Sequence, residues 1–191
     1  PQWLRQFAQM EHGAQDWLDQ VVGHLPHPLL PDAPLKMAAE GSDLADLFNA
    51  VQLEVSGAQL SAASLANDVA GLPQVVRRRD LLIAYPYTNT LTVLRITGAV
   101  LRQAMERSAA YFTRGEDNTL RVSDCFLEPK VEHYNYDFYA GLTYTFDLRR
   151  PVGSRVVQLT KLDGSPLGDG TFRLCTSNYR ATGTGGYEIL R

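Results

Sequence analysis

The sequence predicts an α+β fold with layered helices and a mixed, largely antiparallel sheet. Apolar residues at helical spacing dominate the earlier part of the chain, whereas the last third alternates apolar and polar residues as strands do. The 191 residues are 45% hydrophobic and 20% charged, which is the composition of an ordinary globular protein. Helices and strands segregated along the chain in this way are typical of the α+β class.

The first element is a predicted helix over residues 1–22, where apolar side chains recur at steps of three and four and form one stripe. Residues 24–34 follow with four prolines in eleven positions, which predict an extended connector because proline fixes φ and lacks an amide donor. We interpret residues 1–40 as an inter-domain helix with a proline-rich linker and residues 41–191 as a C-terminal domain. Since the chain begins without an initiator methionine, we expect it to be part of a longer polypeptide.

A second helix is predicted to begin at Ser42 or Asp43, because both residue types are good N-caps. Its expected buried face consists of the apolar side chains Leu44, Leu47, Phe48, Val51 and Val55. Residues 57–79 show no clear pattern.

Residues 81–109 predict a strand, a turn, a second strand and a helix. The β-branched and aromatic residues after Leu81 predict a strand that ends near Tyr85, a turn over residues 86–89 and a strand over residues 90–96. Thr97 then caps a helix with apolar residues on one face. In the last third, strands are predicted within residues 142–148, 154–167 and 171–176, with a hairpin turn at Asp163 and Gly164.

Several functional classes lack support in the sequence. The net charge of −3 and the scattered basic residues do not indicate a nucleic-acid polymer as partner, and no apolar run is long enough to span a bilayer. The sequence contains no P-loop, dinucleotide fingerprint, nucleophile elbow or metal-ligand pattern, so we assign it no catalytic residue and no metal site. Cys125 and Cys175 form either one disulfide in an exported protein or two buried thiols, and their apolar neighbours favour buried thiols.

Two segments have the composition of binding loops. Residues 85–91 (YPYTNTL) contain Tyr87 and Asn89, and residues 178–186 (NYRATGTGG) contain Tyr179 and three glycines. Two tyrosines on two loops can hold a flat ring between them, and an asparagine amide can read the edge of that ring. Each segment by itself is more often a sheet-face tyrosine followed by a turn.

Four stretches, taken in order, resemble the C-terminal domain of the bacterial 5′-nucleotidase family. They are DLADLFNAVQLEVSGAQLSAASL, DLLIAYPYTNTLTVLRITGAVLRQAMERSA, HYNYDFYAGLTYTFDLRRPVGSRV and SNYRATGTGGY. The resemblance covers roughly residues 41–190. It implies a substrate-binding domain that works with an N-terminal metallophosphoesterase domain absent from this chain. A divalent metal pair in that other domain would hydrolyse the phosphoester, so the isolated chain is predicted to be inactive.

Residues are carried over from the family position by position. The resemblance implies that Tyr87 and Tyr179 clamp the nucleobase, that Asn89 contacts the base and that Gly141 lies beside the nucleoside. Apart from the resemblance, the glycines of the second loop, Gly183 among them, would let a ligand approach the backbone where a Cβ would collide. Arg180 could face phosphate, and as a surface-loop arginine it could equally be solvated.

Two departures from the 5′-nucleotidase pattern favour the 2′,3′-cyclic-nucleotide 2′-phosphodiesterase/3′-nucleotidase branch. Gly185 stands where the 5′-nucleotidases carry an aspartate, and residues 55–64 (VSGAQLSAAS) lack their arginine. The expected partners are a nucleoside or nucleotide and the N-terminal domain, and the resemblance implies an extracytoplasmic location. The 5′-nucleotidase branch and a non-catalytic protein-interaction module remain as alternatives.

Overall fold

The computed structural model describes residues 2–191. Over that range the chain forms six α-helices, ten β-strands and three single turns of 3₁₀-helix. The helices are α1 (Gln2–Leu18), α2 (Pro34–Glu40), α3 (Asp43–Ser56), α4 (Arg78–Ala84), α5 (Gly98–Ala109) and α6 (Asn178–Ala181). The strands are β1 (Val21–His24), β2 (Leu60–Ser64), β3 (Val75–Arg77), β4 (Leu91–Thr97), β5 (Phe112–Arg114), β6 (Leu120–Val122), β7 (Asp137–Ala140), β8 (Leu142–Phe146), β9 (Val156–Lys161) and β10 (Thr171–Ser177). The 3₁₀ turns are Asp124–Phe126, His133–Asn135 and Glu188–Leu190.

The chain divides into two compact units. The first unit contains the residues up to Pro31 together with Asp68–Tyr87, and the second contains Asp32–Asn67 together with Thr88–Arg191. A domain boundary at residue 40 stays a prediction.

In the first unit, β1 pairs antiparallel with β3, so that His24 lies opposite Val75. Helix α4 is tied to α1 because Arg79 donates to the Asp19 carboxylate (2.7 Å) and to the Gln15 side chain (2.8 Å). The predicted first helix is shorter than expected, since α1 ends at Leu18 and the following valines join β1. Residue 1 of that prediction lies outside the described residues.

The strand predicted to end near Tyr85 is wrong, because residues 78–84 form helix α4. The Asp80 carboxylate accepts a hydrogen bond from the Arg77 amide (2.7 Å), which caps the start of the helix. Pro86 follows one residue after the last turn, where a helix is expected to end. Local capping thus overrides the β-branched and apolar composition.

The second unit is built on a four-stranded sheet in the order β4-β10-β2-β7. Strand β10 pairs antiparallel with β4 and parallel with β2, and β2 pairs antiparallel with β7. The sheet is therefore mixed and largely antiparallel, as predicted. Two further antiparallel pairs are β5–β6 and β8–β9.

Helices α3 and α5 lie on opposite faces of this sheet. Leu60 and Ala62 of β2 join the hydrophobic core to which α5 contributes Leu101 and Met105. Ser61, between them, points the other way and donates to the Gln52 side chain of α3 (2.9 Å). The layered α+β arrangement is confirmed.

Helix α3 begins at Asp43 with Ser42 as N-cap residue, as predicted, but its buried face differs. Val51 and Val55 are exposed, whereas Asn49 and Gln52 are buried. Polar side chains replace the expected apolar ones because the sheet offers them partners, such as the Phe138 carbonyl for the Asn49 amide (3.1 Å).

The predicted helix after Thr97 and the predicted turn near residue 164 are confirmed. The Thr97 hydroxyl accepts a hydrogen bond from the Val100 backbone amide at the start of α5 (3.3 Å). Across the turn, the Lys161 backbone amide donates to the Ser165 carbonyl (2.9 Å). The two cysteines are unpaired thiols; Cys175 is buried in β10 as expected, but Cys125 is exposed.

Candidate functional site

Three segments of the second unit meet at one end of the four-stranded sheet. At this end β10 finishes at Ser177, opposite Leu91 where β4 begins. Across β2, strand β7 begins at Asp137, paired with Ser64. The register therefore gathers residues 88–90, 132–136 and 178–186 at the same sheet end.

The two predicted binding loops are joined by a pair of hydrogen bonds at this end. The Asn178 amide donates to the Thr90 carbonyl (2.8 Å), and the Thr90 amide donates to the Asn178 side-chain oxygen (3.0 Å). Asn89 and Tyr179 are the sequence neighbours of this bonded pair. The structure thus brings these two predicted site residues together.

Tyr179 is carried by the short helix α6 and is half-buried. The Ser177 hydroxyl accepts the Arg180 amide (3.2 Å), which fixes the direction in which the helix leaves β10. Burial raises the pKa of the Tyr179 hydroxyl, and nearby Tyr134 and Glu132 raise it further. The phenol is therefore neutral at physiological pH and offers a ring face with a polar tip.

Arg180 matches neither expectation, because its side chain is only 2% exposed. All five of its N–H donors have protein acceptors: two go to the Asp137 carboxylate, with Nη2 at 2.8 Å from Oδ1, and the others to Asn135, Thr184 and Tyr134. Its guanidinium also lies 4.0 Å from the ring centre of Tyr187. The predictions that Arg180 contacts phosphate or is solvated are both corrected: it anchors α6 to β7.

The Asp137–Arg180 pair is fully buried on both sides. Burial raises the pKa of the Asp137 carboxyl, and the Arg180 charge opposes that rise. For Arg180, burial acts to lower the pKa, but the Asp137 carboxylate more than compensates and the pKa is raised. We therefore treat the pair as a guanidinium–carboxylate ion pair whose bidentate geometry offsets its desolvation.

Packing within the protein explains why the second loop carries glycines. At Gly185, where φ is +82°, a Cβ would overlap the side-chain oxygen of Asn135 and the Arg180 guanidinium. Gly183 is buried, and a Cβ there would lie 3.0 Å from Glu188 Cα. The space that a Cβ would occupy at both glycines is filled by the protein itself. That Gly183 contributes to substrate binding stays a prediction.

Gly141 lies at the opposite end of the sheet from Tyr179. It follows Ala140, which pairs with Ser61, whereas Asp137 at the other end of β7 contacts Arg180. Four residues of strand separate positions 137 and 141, or roughly 13 Å. That Gly141 lies beside the nucleoside stays a prediction.

Tyr87 is the last residue of the first unit. Its side chain is 39% exposed, and its ring packs edge-on against that of Tyr85 at 5.8 Å. Its aromatic side chain is accessible, and its pairing with Tyr179 stays a prediction.

Sequence reasoning missed the polar residues that precede β7. The Glu132 carboxylate accepts hydrogen bonds from the Tyr134 hydroxyl (3.0 Å) and the Asn135 amide (2.8 Å). Asn67, which follows β2, holds the same segment through the Val131 carbonyl (2.8 Å). The sequence signal was weak, because these residues carry no periodicity and their partners are distant in the chain.

Over residues 2–191, no group of three or more His, Cys, Asp or Glu side chains is arranged to hold a metal ion. Within the same range, no helix is long and apolar enough to cross a membrane.

The model of the family described as 5′-nucleotidase, C-terminal domain, matches residues 21–191. This chain belongs to that family. The match begins at residue 21, before the start at residue 41 from which the sequence resemblance was drawn. As a 5′-nucleotidase C-terminal domain, the chain is part of a hydrolase family whose members include nucleotidases.

Similar proteins of this family include a 2′,3′-cyclic-nucleotide 2′-phosphodiesterase/3′-nucleotidase from Yersinia enterocolitica, 30% identical over 169 residues, covering 77% of this chain and 25% of that protein. The trifunctional nucleotide phosphoesterase protein YfkN of Bacillus subtilis (strain 168) is 30% identical over 119 residues, covering 56% of this chain and 8% of that protein. A Staphylococcus aureus protein assigned as a 5′-nucleotidase, crystallised with α-ketoglutarate, superposes with a TM-score of 0.87 and 35% identity over 96% of this chain and 36% of that one. The 5′-nucleotidase C-terminal domain described here thus spans a quarter or less of these two curated relatives.

Proposed function

We propose that this domain binds the nucleoside part of a nucleotide substrate, with the base held between Tyr179 and Tyr87 and its edge contacted by Asn89. The observation that carries the proposal is the double hydrogen bond between Asn178 and Thr90, which ties the Tyr179 loop to the segment of Asn89. Family membership supports a substrate-binding role.

Hydrolysis would be carried out by a divalent metal pair in an N-terminal metallophosphoesterase domain of the same polypeptide. Closure of the two domains would bring the bound nucleotide to those metals. The isolated chain is then inactive as a hydrolase. An extracytoplasmic location belongs to the same proposal and rests on the resemblance.

The substrate class we propose is the 2′,3′-cyclic or 3′-nucleotide. The Yersinia relative bears that name, and position 185 cannot accept an aspartate because Asn135 and Arg180 occupy the space. If 5′-AMP bound this chain more tightly than 3′-AMP, the 5′-nucleotidase branch would be favoured instead.

Calorimetric titration of adenosine and 3′-AMP tests the proposal. Tyr179→Ala and Tyr87→Ala should each weaken binding, because one stacking face is worth about 1–3 kcal/mol, or roughly 5- to 150-fold in Kd. Tyr179→Phe keeps the ring and should retain most of the affinity. Phe7→Ala, on the exposed face of α1, should change nothing.

A second function is favoured by one observation. On α1, Trp3, Phe7, Met10 and Trp17 are each about half exposed or more (57%, 60%, 70% and 48%), so its apolar stripe suits contact with another protein surface. A wild-type chain that binds neither adenosine nor 3′-AMP would contradict the nucleoside proposal and leave this interaction module as the better account.

A further inference from the structure

A fixed carboxylate lies beside the proposed base-stacking residue. Glu132 belongs to the segment before β7, at the sheet end where α6 also lies. The two segments touch, because Arg180 donates to the Tyr134 carbonyl (3.1 Å) and the Asn135 side-chain oxygen (3.4 Å). Glu132 is thus two positions from a residue that contacts Arg180, the neighbour of Tyr179, and its charge is near enough to raise the pKa of the Tyr179 hydroxyl.

The orientation of the Glu132 carboxylate is set by its own hydrogen bonds. Oε1 accepts from the Tyr134 hydroxyl and lies 3.4 Å from the Lys130 ammonium, while Oε2 accepts from the Asn135 amide. A carboxylate offers about four acceptor positions, so capacity for another donor remains. Its side chain is 33% exposed, which leaves that capacity accessible from solvent.

The carboxylate is also ionised under ordinary conditions. The Tyr134 hydroxyl hydrogen bond is the largest cause that lowers the pKa of Glu132, followed by burial, which opposes it, and by the Lys130 contacts, which lower it further. An ionised, oriented acceptor in the segment that contacts α6 suits the hydroxyl groups of a sugar attached to a base stacked on Tyr179. Hydrogen bonds from a neutral donor to a charged acceptor are stronger than neutral ones.

We propose that Glu132 recognises the sugar of the bound nucleoside by accepting a hydrogen bond from at least one of its hydroxyl groups. The inference rests on the proposed nucleoside binding at Tyr179. It makes Glu132 a residue that distinguishes a nucleoside from a free base, a role that stacking on tyrosine cannot perform, since every base has a π-face.

The wild-type chain itself provides the first test. Adenosine should bind about 10-fold or more tightly than adenine. The compounds 2′,3′-dideoxyadenosine and 5′-deoxyadenosine each lack sugar hydroxyls, and the one that lacks the recognised hydroxyl should bind more weakly than adenosine by a similar factor. Equal affinity for all four compounds would overturn the sugar-recognition proposal while leaving base binding intact. Absence of binding by all four would contradict the proposed function itself.

The second test assigns the effect to Glu132. Glu132→Gln should weaken adenosine binding about 10-fold and leave adenine binding unchanged, so that the adenosine preference disappears. Tyr179→Ala should instead weaken both ligands alike. Glu116→Gln, an exposed glutamate outside this segment, is the matched control and should keep the wild-type preference. A Glu132→Gln variant that retains the adenosine preference would overturn the proposal, in which case the Lys130–Glu132 contact is a surface ion pair of little consequence.

Discussion

At the scale of single residues, Arg180 holds the second loop in place. Its side-chain donors reach acceptors in the segment before β7, at the start of β7 and in the loop after α6, so one side chain ties α6 to three other parts of the second unit. The adjacent residue is Tyr179, and the direction of its ring depends on where this anchor holds the short helix. A buried arginine can therefore serve binding without touching the ligand.

Removing the partner of this arginine should be strongly destabilising. Asp137→Asn leaves a buried guanidinium without its counter-charge, which typically costs about 3–5 kcal/mol. Urea unfolding followed by circular dichroism measures this change. Asp117→Asn is the control, because the Asp117–Arg121 pair is exposed and its loss should matter far less. A stability loss at Asp137 no larger than that at Asp117 would contradict the structural role.

His133 gives a pH dependence to stability. Its Nδ1 lies 2.6 Å from the Tyr111 hydroxyl, and burial lowers the pKa of the imidazole. As pH falls from about 6.5, the unfolded chain takes up this proton before the folded chain does, so stability decreases. The free energy of unfolding should be lower at pH 5.5 than at pH 7.5, and its slope against pH should correspond to the uptake of at most one proton. His133→Gln should flatten the slope and the exposed-site control His27→Gln should keep it; an unchanged slope in His133→Gln would contradict the assignment.

Few of these residue-scale features could be predicted. The sequence pointed to Tyr179 and Asn89, because aromatic and amide side chains next to turns are local signals. Asp137 and Arg180 are 43 positions apart, and no local pattern shows that they meet. Gly185 departs from the 5′-nucleotidase pattern in the sequence alone, but only the structure shows that Asn135 fills the space beside it.

At the scale of elements, the site depends on the register between β4 and β10. The pairing of Ser177 with Leu91 continues into the hydrogen bonds between Asn178 and Thr90, so the two strands deliver both loops to one place. Both strands were predicted from the sequence, β4 from its β-branched and aromatic residues. Strand alternation offers no such signal for the neighbouring strand. It could not predict β2, because LSAAS is buried on both faces and has no alternation.

The link between the loops can be tested at Asn178. Asn178→Ala removes the acceptor for the Thr90 amide, so exchange of that amide with deuterium should speed up and adenosine should bind roughly 3- to 10-fold more weakly. Asn178→Asp keeps an acceptor oxygen and should behave more like wild type. Identical Thr90 exchange in wild type and Asn178→Ala would show that the hydrogen bond does not hold the loops together.

At the scale of the whole molecule, the α+β class followed from the sequence because periodicity is a property of long segments. Sheet order did not follow, since the parallel pairing of β10 with β2 joins residues more than 110 positions apart. Local sequence patterns also could not predict the division into two units. Residues 68–87 belong to the same unit as the N-terminal residues, although in the sequence they stand between the two stretches of the second unit. The C-terminal domain fold and the family were accessible from four motifs in order, whereas the ligand is still proposed.

The most direct measurement is a crystal structure of this chain with adenosine bound. We expect the adenine ring to lie parallel to the Tyr179 ring at about 3.5 Å, with Tyr87 on the opposite face and the ribose towards Glu132. Adenosine bound elsewhere, with no contact to Tyr179, would contradict it.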